Sequence, residues 1–203
     1  MAAKGETTRE RLLAAAEALI LKSGYGGATI DDVLAEAGAT KGAFFHHFKS
    51  KADLARAVIE RYWANDAELF QSWSARADRL ADDPLERMLI FLKLFEEFLD
   101  GLGAPFPGCV FAAYTQESEL FDDDMRAYIR VKFDEWLAMF EEKLDALIAA
   151  RKPAREFAAR ALAEMLATVI EGGFIMAKAY GDATWTQRQV AQYRGYLELL
   201  FRR

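Results

Sequence analysis

The sequence predicts an all-α protein of about nine helices, with an N-terminal three-helix unit followed by a larger helical bundle. Three observations carry that reading. Apolar residues recur at a 3.6-residue period along nearly the whole chain, alternating strand-like patterns are scarce, and only 4 prolines interrupt 203 residues. Hydrophobic residues make up 53% and charged residues 29%, which is enough to bury a core and too apolar for a disordered chain.

The first helix is expected from about Thr8 to Ser23. Thr7 and Glu10 have capping-box spacing, Leu12, Leu13, Ala16, Leu19 and Ile20 share a face, and Gly24, Gly26 and Gly27 end the helix. Thr29 caps a short second helix whose Ile30, Val33, Leu34 and Ala37 lie on one side, and Gly38 stops it. Thr40 caps a third, from about Lys41 to His47. The fourth runs from about Lys51 to Asp78, with Leu54, Val58 and Tyr62 at i+4 steps. Asp83, Pro84 and Glu86 suit the N-cap, N1 and N3 positions of a fifth that ends near Gly101.

Pro105 and Pro107 make the segment from Gly103 to Gly108 a turn. A sixth helix follows to about Ser118, and a seventh is expected from about Asp122 to Ala150. The acidic run Asp122, Asp123 and Asp124 suits a helix start better than a metal site, because the helix dipole favours carboxylates there. An eighth helix is expected from about Ala154 to Ala179, and a ninth from Thr184, with Gln187 at capping-box spacing, to Phe201. The domain boundary falls near Lys51, giving a head of residues 1–50 and a body of residues 51–203.

The composition narrows the class. The net charge is -6, which taken alone argues against a nonspecific polyanion binder. Residues 1–61, however, hold nine Lys and Arg against eight Asp and Glu, a net of +1, so the remainder carries -7. The one cysteine, Cys109, cannot form an intramolecular disulfide. The longest uncharged stretch, Gly101 to Gln116, is broken by two prolines, and charged residues precede the first apolar run, so neither a membrane span nor a secretory leader is expected. A cytoplasmic protein without membrane association is the expectation.

Residues Ile30 to His47 have the dimensions of a helix-turn-helix, two short helices joined by a turn that contains glycine. At about 100° per residue, Phe44 and Phe48 point together toward the first two helices, while Lys41, Gly42, Phe45 and His46 occupy a separate arc. That arc suits a major groove. Lys41 can reach guanine O6 or N7, His46 can donate or accept at a base edge, and Phe45 can press on a thymine methyl. Gly42 lets the helix approach closely, and Thr40 with the free amides beside it can hold a phosphate. Lys51 stands where a second phosphate contact would anchor the far end. Adjacent His46 and His47 diverge too far for a metal pair, no orienting carboxylate or nucleophile–base pair suggests catalysis, and no cofactor is indicated.

The run from Thr29 to Leu54, with its capping threonine, Ala-Gly turn, Lys41-Gly42, His46-His47-Phe48 and Ser50-Lys51 in register, resembles the DNA-binding signature of the TetR family of bacterial transcription regulators. The resemblance covers roughly Thr8 to Ile59, and beyond it only the layout is similar. It implies a dimeric, ligand-responsive repressor of a near-palindromic operator. It also implies DNA contact by Thr40, Lys41, Ala43, Phe45, His46, His47 and Lys51. Phe45 departs from the family's usual tyrosine, whose hydroxyl reaches a phosphate, so Phe45→Tyr is expected to tighten binding.

The resemblance further implies an effector cavity in the body, for which Phe106, Phe111, Tyr114, Trp136, Met139 and Phe174 are the candidates; each reads equally as core. Some related regulators respond to electrophiles through a cysteine, so Cys109, near a helix start, reads either as such a sensor or as a small buried packing residue. The eighth helix is apolar nearly all round (Phe157, Leu162, Met165, Leu166, Val169, Ile170, Phe174, Ile175). In the ninth, Val190, Tyr193, Leu197 and Leu200 have the 3-4-3 spacing of a packed seam. Together these two helices are the expected homodimer interface.

Overall fold

The computed structural model describes residues 7–202. Among them are nine α-helices and one 3-10 turn, with no strand. The helices are α1 (Thr8–Gly27), α2 (Ile30–Ala37), α3 (Lys41–His47), α4 (Lys51–Leu80), α5 (Pro84–Gly101), α6 (Val110–Gln116), α7 (Asp123–Ala150), α8 (Ala159–Tyr180) and α9 (Trp185–Phe201), and the 3-10 turn spans Ser118–Leu120. None of the helices is long and apolar enough to cross a membrane.

The described residues fall into two compact units. Among the described residues, one unit comprises residues 7–66 together with Cys109–Arg130; the other comprises Ala67–Gly108 and residues 131–202. The reason for this grouping lies in α6. Tyr114 is fully buried in the first unit, its hydroxyl donates to the Ala55 carbonyl at 3.3 Å, and its ring meets those of Tyr25 and Phe121 at 5.7 and 5.1 Å. The segment from Cys109 therefore shares one compact unit with the buried Leu12, Leu13, Ala16, Phe44, Phe48, Leu54 and Val58.

Local chemistry sets the bounds of the short helices. Thr7 accepts the Glu10 amide at the start of α1, and α1 breaks at Gly24, where φ is 78° and ψ 168°. The N-cap of α2 is a full capping box between Thr29 and Asp32, and Gly38 ends it in the left-handed conformation (φ 57°, ψ 40°). The acidic run opens α7: Asp122, just before it, accepts the Met125 amide at 2.8 Å, and Asp123 in its first turn pairs with Arg126.

In the second unit α9 packs against both α8 and α5. The Tyr193 hydroxyl donates to the Leu162 carbonyl at 2.9 Å, and burial holds that phenol well above its usual range. Gly173 in α8 admits Thr186 of α9, because a Cβ there would sit 2.9 Å from the threonine Cγ2. Between α5 and α9, buried Glu96 accepts from Arg194 at 2.8 Å and from Lys93 at 3.3 Å.

Three expectations for this unit need correction. Helix α8 begins at Ala159, five residues late, because the Ala154 amide donates to the Leu200 carbonyl (2.7 Å) at the end of α9 and holds the intervening segment out of the helix. Phe157 thus precedes α8 and meets Tyr196 edge-on at 6.3 Å. Thr184 forms no capping box, because its hydroxyl is engaged by Asp182 at 2.8 Å. Val190, Tyr193, Leu197 and Leu200 are all buried within the single chain, so the predicted inter-subunit seam is an intrachain core. On α8, Met165 and Ile175 of the expected apolar set stay exposed, together with Met176 and Tyr180.

Candidate nucleic-acid interface

Helix α3 presents two faces of opposite character. Phe44 is completely buried and Phe48 nearly so, and their rings meet at 5.7 Å under the helix. Lys41, Gly42, Phe45, His46 and His47 are exposed, Phe45 at 56%, and Ala43 is half-buried at the edge. The exposed Phe45 ring meets the buried Phe44 ring edge-on at 5.2 Å.

Thr40 caps α3 by accepting the Ala43 amide at 3.2 Å, which leaves its own O–H free to donate to a phosphate. The Lys41 ammonium sits 3.1 Å from Asp31 in α2, with both side chains mostly exposed. Such a surface pair is worth only about 0–1 kcal/mol, so exchanging it for a phosphate or a guanine costs little. Gly42 has open space around it: the nearest heavy atom to an added Cβ is the Thr40 Oγ1 at 3.9 Å.

Lys51 does not project outward as expected. Its Nζ donates to the Tyr25 carbonyl at 2.6 Å and the Gly26 carbonyl at 3.4 Å, and lies 4.2 Å from the centre of the Tyr25 ring. Burial pulls its ammonium below the usual lysine range, with the Glu117 carboxylate opposing that shift. In this state Lys51 ties α4 to the last turn of α1, beyond the break at Gly24. Glu117 itself was missed from sequence, where the three glycines of that turn read only as a helix break.

The candidate effector residues scatter. Phe111 and Tyr114 are buried in the first unit. In the second, Phe106 stacks on Phe174 at 4.7 Å, and Trp136 stands edge-on to Phe140 at 5.5 Å. Only Met139 of the six lines a cleft of about 220 Å³, whose floor includes Met88 and Phe91 and whose polar groups include Asp78, Arg87 and Lys143. Lys143 lies 5.5 Å over the Phe91 ring, and burial pulls its ammonium down while Asp78 and Glu142 push it up. Cys109 is the half-buried N-cap of α6.

A capped helix with its apolar side buried and Lys41, Gly42, Phe45, His46 and His47 exposed has the geometry of the second helix of a helix-turn-helix. Residues 12–58 match the family described as bacterial regulatory proteins, tetR family, and residues 84–193 match the tetracyclin repressor-like C-terminal domain. The chain belongs to the TetR family of transcription regulators.

Among its relatives is an HTH-type regulator encoded in the lacX 3′ region of Lactococcus lactis, 30% identical over 69% of each chain. Another is the transcriptional repressor DhaR of Mycobacterium sp. (strain GP1), 25% identical over 66% of this chain and 64% of that one, so the match spans under two thirds of DhaR. A TetR transcriptional regulator from Chloroflexus aurantiacus superimposes with a TM-score of 0.79 over 96% of both chains, at 27% identity. These relatives are named as regulators of transcription.

Proposed function

We propose that the protein is a cytoplasmic repressor that binds a near-palindromic operator as a homodimer and is released by a small, largely apolar effector. The observation that carries this is the exposed face of α3: Lys41, Gly42, Phe45, His46 and His47 on one side of a helix held from below by Phe44 and Phe48. Two copies place two such helices in successive major grooves. Continuous with α8 is the apolar surface that the dimer covers, Met165, Ile175, Met176 and Tyr180, in place of the seam expected in α9. The cleft beside Met139 takes the effector; at about 220 Å³ it is smaller than the usual ligand pocket and admits only a compact molecule. An effector that favours the DNA-free conformation needs about 1–3 kcal/mol of coupling to release the operator.

The test is a mobility-shift titration on duplex from the protein's own upstream region, with sedimentation to count chains. Retardation with an even number of chains per duplex supports the reading; no retardation at micromolar protein in low salt contradicts it. In the same assay Phe45→Tyr is expected to bind about threefold to tenfold more tightly, since it adds a hydroxyl that can donate to a phosphate. Equal or weaker binding places position 45 away from the backbone.

A further inference from the structure

Glu117 lies just beyond α6, 91 residues from the turn that its carboxylate reaches. Its Oε2 accepts the Gly26 amide at 3.1 Å. An added Cβ would come within 2.7 Å of the Glu117 carboxylate at Gly24 and 3.2 Å at Gly26, so glycine at both positions is what admits the carboxylate to the backbone. Lys51 grips the same turn through the Tyr25 and Gly26 carbonyls. The Tyr25 ring is packed against Phe121 at 4.5 Å, and Arg126 donates to the Ser118 and Phe121 carbonyls, fixing the backbone that follows Glu117.

The placement of that turn gives the contacts their meaning. It leads directly into Thr29 and α2, while Lys51 follows α3 by four residues. Glu117 and Lys51 therefore hold the two chain ends of the helix-turn-helix at one point. We propose that Glu117 is a positioning residue for DNA binding: by accepting the Gly26 amide it fixes the turn that orients α2 and α3. The segment from α6 to the start of α7 is then a working part of the DNA-binding unit, although it lies far from it in sequence. This inference rests on the DNA-binding reading of α3.

The test compares Glu117→Ala, which removes the acceptor, with Glu117→Gln, which keeps an acceptor oxygen of the same reach. Operator affinity is measured beside the folded fraction by circular dichroism in the same buffer. Glu117→Ala is expected to lose about tenfold in affinity while staying folded, and Glu117→Gln to recover most of that loss. Hydrogen exchange supplies an arm independent of DNA: the Gly26 amide and those of α2 exchange faster in Glu117→Ala than in Glu117→Gln, while α8 is unchanged. Parental affinity in Glu117→Ala, an equal loss in Glu117→Gln, or a loss that disappears on correction for folded fraction overturns the proposal. Should the parent protein bind no DNA, the DNA-binding reading fails by itself, and unchanged exchange at Gly26 overturns the tether separately.

Discussion

Arg194→Ala is expected to destabilise the protein by about 3 kcal/mol, the lower end of what breaking a buried ion pair costs. The Glu96 side chain is only 3% exposed, and its carboxylate is held by Arg194 Nε at 2.8 Å and by Lys93 at 3.3 Å. Removing the guanidinium leaves a buried carboxylate with one half-exposed lysine, which compensates part of the loss but not the second oxygen. Denaturant unfolding measures the effect directly, and the midpoint temperature should fall by roughly 6–12 °C. Replacing both partners with leucine is expected to recover most of the stability, because the cost lies in the unpaired charge. A loss below about 1 kcal/mol in the single variant would show that Lys93 alone satisfies the site.

Gly42→Glu has the opposite profile, with a sound fold and lost function. Gly42 is exposed, and an added Cβ meets nothing nearer than 3.9 Å, so the free protein accepts the side chain. Glutamate also raises helix propensity at an exposed position by about 0.5 kcal/mol or more over glycine. Docked on DNA, the same side chain sets a carboxylate against base edges and phosphates. Operator affinity is expected to fall at least about a hundredfold, roughly 2.7 kcal/mol, with thermal stability equal or higher. Gly42→Ala should show a smaller loss of the same kind. Fluorescence anisotropy beside a melting curve reads both; retained affinity in Gly42→Glu would mean that this face of α3 does not enter the groove.

What the sequence told of the head and the body differed for a physical reason. The bounds of α2 and α3 follow from Thr29, Gly38 and Thr40, whose caps and left-handed backbone are local to a few residues, and the structure places them as read. The burial of Phe44 and Phe48 followed in the same way from helix periodicity. Where long-range contacts decide, the reading went astray. The late start of α8 depends on a bond from Ala154 to Leu200, and no local pattern signals it. Lys51 looks like any surface lysine in sequence, and its inward turn is set by Tyr25 and Gly26 from the other end of the head.

The ninth helix shows the limit of periodicity. A 3-4-3 spacing reports that a face is buried, and it cannot report whether the covering surface belongs to the same chain. Here α5 and α8 of the same chain cover it. The acidic composition misleads similarly when averaged: the residues after 61 carry -7, while residues 1–61, which include α3, carry +1. Near-neutrality predicts weak nonspecific binding and dependence on a specific site.

The central claim, that the exposed face of α3 reads DNA sequence, is tested most directly by titrating the parent protein and the Lys41→Ala/His46→Ala double variant. Each is titrated against duplex from the protein's upstream region and against the same duplex shuffled, at one salt concentration. The parent is expected to prefer the native duplex by a factor on the order of a thousand or more, and the double variant to lose nearly all of that preference while remaining folded. A double variant that still discriminates between the two duplexes as the parent does would contradict the account.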